Sequence, residues 1–291
     1  MNQIHETLCQ LNVCKKDDTE EIQGFVRDRD DVKVHRCRKS GVIFLNRTDH
    51  IDISHYDQKA PTHFAGTSKR EMIRTNDDTE RRYSYFANLV RNKTWLDFGA
   101  GSGAILDRLS PLCKSSAAVE PQLEASSFLR ELGHEVYRRL DEIPLESFDI
   151  ITLFHVFEHL SDPVDTLKQL GKKLSPGGRL FIEVPHARDF LISFADNPDF
   201  KAHTFWSEHL VLHTRESLRA IIEHCGFELN SISAVQRYPL ANHLHWLVKG
   251  SPGGQDKWAS LRDPQLDTAW SNVLARLDHT DTLTAEAVWS G

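Results

Sequence analysis

The segment Trp95-Leu96-Asp97-Phe98-Gly99-Ala100-Gly101-Ser102-Gly103-Ala104 constrains the fold more than any other part of the chain. An apolar run enters three closely spaced glycines, and a helix-forming stretch to Leu109 follows before Pro111 stops it. Glycine tolerates left-handed backbone and lets a ligand approach the main chain, so this reads as a strand, a tight turn and a helix opening on a small-molecule site. A second apolar run, Ala117 to Glu120, completes a βαβ unit and with it a parallel sheet.

The glycines alone leave the ligand open, because with Ala104 last they also fit the G-x-G-x-x-[GA] turn of nicotinamide and flavin folds. Asp97 narrows the choice. A carboxylate at the strand end repels a pyrophosphate but suits an α-amino cation such as that of S-adenosylmethionine (SAM), which also carries a sulfonium and no phosphate. Glu120 closes the second strand, where an acidic side chain accepts hydrogen bonds from ribose hydroxyls in either cofactor class.

The alternation continues along the chain. An amphipathic helix over 77–91 leads in, with Tyr83, Phe86, Ala87 and Val90 on one face. After the βαβ unit come a helix from Gln122 to Leu132, a short strand at Glu135 to Tyr137 and a buried strand at Phe148 to Phe154. A helix from Pro163 to Leu174, the turn Ser175-Pro176-Gly177-Gly178 and a strand at Arg179 to Val184 follow. Leu218, Ile221, Ile222 and Cys225 mark a further helix, and Phe227 to Val235 and His243 to Val248 read as two closing strands. The tail carries one amphipathic stripe, Trp270, Val273, Leu274 and Leu277.

The DFGAGSG turn, Val119-Glu120-Pro121 and the run Phe148-Asp149-Ile150-Ile151-Thr152-Leu153-Phe154-His155-Val156-Phe157-Glu158-His159-Leu160 together resemble the class I SAM-dependent methyltransferases. The resemblance spans roughly residues 94–249. It implies an α/β, Rossmann-like, seven-stranded sheet whose last two strands form an antiparallel hairpin, with a small N-terminal module and a C-terminal helical tail. With the charged, irregular start and the amphipathic lead-in and tail, the expected division is a module at 1–60, a helical lead-in or lid at 61–92, a SAM-dependent methyltransferase domain at 93–250 and a tail at 251–291. It places Asp97, Gly99, Ala100, Gly101, Glu120 and Pro121 around SAM, Asp141 beside the adenine, and His155 in the cleft between cofactor and substrate.

Methyl transfer from a sulfonium is an in-line displacement, so a hydroxyl or carbon-acid acceptor also needs a base. Trp206-Ser207-Glu208-His209 resembles the Tyr-x-Glu-His segment of nucleotide-sugar C-methyltransferases. Carried across, His209 is the general base, Glu208 its partner, and Trp206 stands where that group has a tyrosine, which removes a phenolic hydroxyl. The string Gln236-Arg237-Tyr238-Pro239-Leu240-Ala241-Asn242-His243 is similar to sequences in sugar and polysaccharide methyltransferases. It makes Arg237, Tyr238, Asn242 and His243 candidate substrate contacts, with Arg237 on a phosphate. The expected acceptor is a small polar molecule, foremost a nucleotide-linked sugar or glycan precursor. The alternatives are O-methylation of a non-sugar small molecule, a NAD(P)-dependent oxidoreductase, and a silent SAM-binding subunit.

The same sugar methyltransferases often begin with a zinc ribbon of two C-x2-C pairs. Here Asp17 follows Cys14 and Ser40 follows Cys37, so half the ligands are replaced and a ribbon without metal is expected, with Cys9 and His35 as the substitutes that would restore it. His55-Tyr56 and His63-Phe64 are candidate covers of the acceptor site. Five cysteines among 291 residues disfavour a disulfide framework. A net charge of -7 removes a broad nucleic-acid footprint, and the polar start with no long apolar run leads to the expectation of a soluble cytoplasmic protein with no membrane partner.

Overall fold

The computed structural model describes residues 2–51 and 77–291. The candidate covers His55, Tyr56, His63 and Phe64 lie outside these.

Among the described residues, eleven strands form two sheets. The N-terminal module opens with the helix Gln3–Gln10, then β1 (Thr19–Gln23), β2 (Val34–Cys37) and β3 (Ile43–Leu45). The large sheet is built from β4 (Thr94–Phe98), β5 (Ser115–Val119), β6 (Glu135–Tyr137), β7 (Phe148–Phe154), β8 (Leu174–Pro185), β10 (Phe227–Val235) and β11 (Thr282–Trp289), with β9 (Val211–Leu212) set apart. Its order is β10-β11-β8-β7-β4-β5-β6. Strands β8, β7, β4, β5 and β6 run parallel, and β11 is antiparallel to both β8 and β10.

The parallel strands read as apolar runs because helices cover both faces and alternate side chains are buried on opposite sides. Trp95, Ile150 and Phe181 join one cluster with Phe86, Leu106 and Leu129, while Leu96, Ile151, Leu180 and Ile182 join the other with Leu167, Leu218 and Ile221. The Pro176-Gly177-Gly178 segment is a bulge inside β8 rather than a separate turn: Phe148 pairs with Leu174 and Ile150 already with Arg179.

Two expectations are corrected. Residues 240–249 form a helix, Leu240–Lys249, not a strand. Pro239 precedes it, Gly250 ends it at φ 59°, and Ala241, Asn242, His245 and Trp246 are buried at helical spacing. The strand that closes the sheet is β11, from the segment expected to be a helical tail. It buries Leu283, Ala285 and Ala287 and sets Trp289 against Gly171, where any Cβ would stand 2.4 Å from the indole.

The N-terminal sheet has the order β1-β2-β3-β9, so its fourth strand comes from the segment after His209. The Asn2 amide donates to the Leu45 and Leu210 carbonyls, joining the two parts. The Asp28 carboxylate accepts from the Ser207 amide at 2.9 Å and hydroxyl at 2.6 Å, and the Arg27 guanidinium lies 4.5 Å over the Trp206 ring. The module therefore shapes the wall that carries Trp206, Glu208 and His209. Among the described residues no helix is long and apolar enough to cross a membrane.

Candidate functional site: a cleft at the carboxyl ends of the parallel strands

The turn after β4 takes left-handed backbone at Gly99 (φ 81°), Gly101 (φ 55°) and Gly103 (φ 77°). The reason for glycine differs between them. A Cβ on Gly99 would stand 2.4 Å from Val156 Cγ2, and one on Gly103 would stand 2.3 Å from Leu129 Cδ2, whereas one on Gly101 would meet nothing within 4 Å. The first and third glycines serve packing, and the middle one leaves open space above the main chain. Glu120, buried at the end of β5, accepts from the Gly101 amide at 2.8 Å through one oxygen and from the Gln122 amide at 3.0 Å through the other. Burial leaves its pKa raised, with these two bonds offsetting only part of the effect. Each oxygen keeps a second lone pair for a ligand hydroxyl.

Gly99, Glu120, Pro121, Asp141, His155, Trp206, Glu208, His209, Arg237, Tyr238, Asn242 and His243 all line one cleft of about 1010 Å³. That is the upper end of the ~300–1,000 Å³ usual for ligand pockets, room for a cofactor and an acceptor together. Asp97, Ala100 and Gly101 are not on its wall. Asp97 is 2 % exposed, bonded to the Thr152 hydroxyl at 2.8 Å, which in turn accepts from the Trp95 indole at 3.0 Å. Burial pushes its pKa up to about 6. In place of the direct contact expected with an α-amino cation, the bond that the structure gives the Asp97 side chain is to Thr152, behind the turn.

A family model described as a methyltransferase domain matches residues 69–232, more than half of the chain. The chain belongs to that methyltransferase family. Curated relatives include ubiquinone biosynthesis O-methyltransferases from Parvibaculum lavamentivorans and Nitrosococcus oceani. The first is 25% identical over 71% of this chain and 82% of its own length, the second 28% identical over 46% and 61%. The chain thus spans less than two thirds of the Nitrosococcus protein. A SAM-dependent methyltransferase from Archaeoglobus fulgidus superposes with a TM-score of 0.50 at 19% identity, covering 75% of this chain and 97% of that one, a likeness of fold. The methyltransferase uses SAM as cofactor. The open space at Gly101 and the half-satisfied carboxylate of Glu120 fit that group.

In the methyltransferase cleft, Glu158, His155, His159 and His209 converge. Glu158 is fully buried. Its Oε1 lies 3.4 Å from His155 Nδ1 and 3.8 Å from His159 Nε2. Burial alone would raise its pKa, but the His155 contact and the His159 and His209 charges hold it down at about 2. His155 sits at φ 56°, an uncommon conformation for a residue with a Cβ, with Nε2 3.3 Å from Glu183. Burial works against its protonation, yet the two glutamates leave its pKa raised. His209 goes the other way: burial first, then the neighbouring His159, lower its pKa to about 3. A ring with so weak a proton affinity is a poor general base at neutral pH, which argues against the role expected for it. The carboxylate that acts on it is that of Glu158, a residue inside the run quoted for the family resemblance but not singled out there.

Arg237 reaches the cleft, but its charge is already met. Its Nε donates to Asp78 at 2.6 Å and its backbone N–H to Asp281 at 2.9 Å, so the expected phosphate contact has no spare cation. His243 accepts from the Trp270 indole at 2.9 Å and stacks on Phe190, and burial lowers its pKa to about 4. It is a packed wall residue. Asp189 was not visible as a site residue in the sequence. It lines the cleft, accepts from the Leu191 amide at 2.6 Å, and burial and then Asp281 push its pKa up to about 7. In the N-terminal module Cys14 Sγ lies 3.3 Å from Ser40 Oγ, and burial raises the Cys14 thiol to about 12. Among the described residues no group of three ligand-type side chains includes a cysteine.

Proposed function

We propose that this methyltransferase O-methylates a small hydroxylated acceptor with an apolar ring body. The carrying observation is the single cleft that joins the Glu120 and Asp141 end to a wall of Trp206, Trp246, Phe200, Leu191 and Ile192. Glu120 would hold the ribose, Asp141 the adenine side, and the aromatic wall the acceptor ring. The O-methyltransferase names of the relatives favour this over a nucleotide sugar, as does the engagement of Arg237 by Asp78. SAM, held by Glu120 and Asp141, would supply an electrophilic methyl to the acceptor oxygen and keep the S–C bonding pair on sulfur, while the hydroxyl proton would pass to a base of the cleft.

Asp189 is a described cleft group whose pKa, about 7, suits a proton acceptor near neutral pH. Its carboxylate accepts a proton only when ionised, so kcat/KM should rise with pH through about 7 and then level. Asp189→Asn keeps the bonds to the backbone amides and removes the base. It should lower kcat by about 10²- to 10⁴-fold at unchanged SAM affinity and abolish that rise. The test is methyl transfer, read by product mass, across phenolic hydroxyls, polyols and nucleotide sugars. Turnover confined to nucleotide sugars would overturn the acceptor class, and wild-type kcat in Asp189→Asn would overturn the base.

A further inference from the structure

Glu158, His159 and His209 each offer a ligand atom, and these atoms lie within 4.8 Å of one another. Glu158 and His159 come from the short turn Phe157–His159 after β7, and His209 from the segment before β9, fifty residues along the chain. The turn is fixed by the Leu210 amide donating to the Glu158 carbonyl at 3.0 Å, which ties the two segments together at this point. Neither carboxylate oxygen of Glu158 accepts a hydrogen bond of good geometry among the described residues, nor is His209 Nδ1 engaged in one. A fully buried carboxylate normally satisfies its oxygens, because leaving them unmet costs several kcal/mol. Here Oε1 stands 3.4 Å from His155 Nδ1 and 3.8 Å from His159 Nε2, too long for strong bonds.

We infer that Glu158, His159 and His209 form a binding site for a borderline divalent cation, of the Zn²⁺ or Co²⁺ kind. Two imidazoles and one carboxylate are a donor set for such ions, and three protein ligands leave coordination positions open for water or substrate. Bonds of about 2.0–2.1 Å set donors roughly 3.3 Å apart around one tetrahedral ion, so the three side chains close inward by an ångström or so on binding. His159 and His209 line the cleft and Glu158 stands behind them, so the open positions face the acceptor region. Trp206, 5.2 Å from the His209 ring and 5.9 Å from the His159 ring, packs edge-on against both and limits their movement. This site is separate from the cysteines of the N-terminal module, on which the expectation of no metal was based. Its catalytic consequence rests on the proposed O-methylation: an acceptor hydroxyl bound to the ion would lose its proton to solvent or Asp189 more readily before its oxygen takes the methyl. The binding itself needs neither cofactor nor acceptor.

The test uses the full chain, stripped with chelator and titrated with Zn²⁺ in the absence of SAM. One equivalent per chain should bind. His209→Ala should weaken it about 100-fold or more, beyond the 10–100-fold typical of an outer-shell change. The Cys14→Ala, Cys37→Ala double variant should bind as wild type does. The Co²⁺ form of the wild-type protein, which needs no variant, should show two histidine rings with paramagnetically shifted NMR signals. Loss of binding in the cysteine variant with retention in His209→Ala would overturn the assignment, as would no stoichiometric Zn²⁺ binding or Co²⁺ spectra without shifted histidines. Metal binding without O-methylation would instead leave the site standing and remove the acceptor reading.

Discussion

A chain that ends at Asp281 should not fold. Strand β11 lies between β8 and β10, so its removal strips hydrogen-bond partners from both and leaves β10 without a sheet. It also removes Leu283, Ala285 and Ala287 from the core and uncovers Gly171, against which Trp289 is set. Ladder bonds at a net ~0.5–1.5 kcal/mol each, together with the lost burial, are comparable with the whole ~5–15 kcal/mol that stabilises a native protein. The truncated chain should express as insoluble or protease-sensitive material with no cooperative melt, whereas removing only residues 290–291 should leave the melting temperature within a few degrees. A soluble, cooperatively melting chain lacking 282–291 would show that the sheet closes in another way.

Glu120→Ala should lower SAM affinity about 5- to 150-fold, the ~1–3 kcal/mol of a charged hydrogen-bond partner removed. The effect has two sources. The ribose would lose its acceptor, and the Gly101 and Gln122 amides, which now bond the carboxylate, would lose the partner that holds the turn in place. Glu120→Gln separates them: its amide oxygen keeps one acceptor, so it should fall between wild type and alanine. Calorimetry on the three proteins decides. An unchanged affinity in Glu120→Ala would remove this residue from the cofactor site, and a collapse of the fold on melting would assign it to the turn alone.

The parts of the fold that a glycine or a buried run dictates were legible. The turn at Gly99 to Gly103 admits few backbones, and β4, β5 and β7 are apolar on both faces because helices cover both. Strand β11 was not legible because Thr-Leu-Thr-Ala-Glu-Ala-Val-Trp buries mostly small residues, and its identity comes from the two neighbours it lies between. The error at 240–249 had a local cause. His243, Leu244, His245 and Trp246 alternate as in a strand, while Pro239 and Gly250, which bracket a helix, carried the better signal. In the site, Glu120, Asp141, His155, Trp206 and His209 could be singled out from motifs, and the structure does place them on one cleft. What motifs could not supply was electrostatics. His155 and His209 look alike in sequence, yet one is flanked by Glu158 and Glu183 and the other is desolvated beside His159, which moves their pKa values in opposite directions. Asp189 and Glu158 owe their character to burial and to partners distant along the chain.

On the proposed reading, the cleft beside the Gly99 to Gly103 turn holds SAM and not a dinucleotide. The direct measurement is an equilibrium titration of the full chain with SAM and, separately, with NADH. One SAM per chain, displaced by S-adenosylhomocysteine, with no saturable NADH binding, is the result expected. Saturable NADH binding in a protein that does not bind SAM would contradict it.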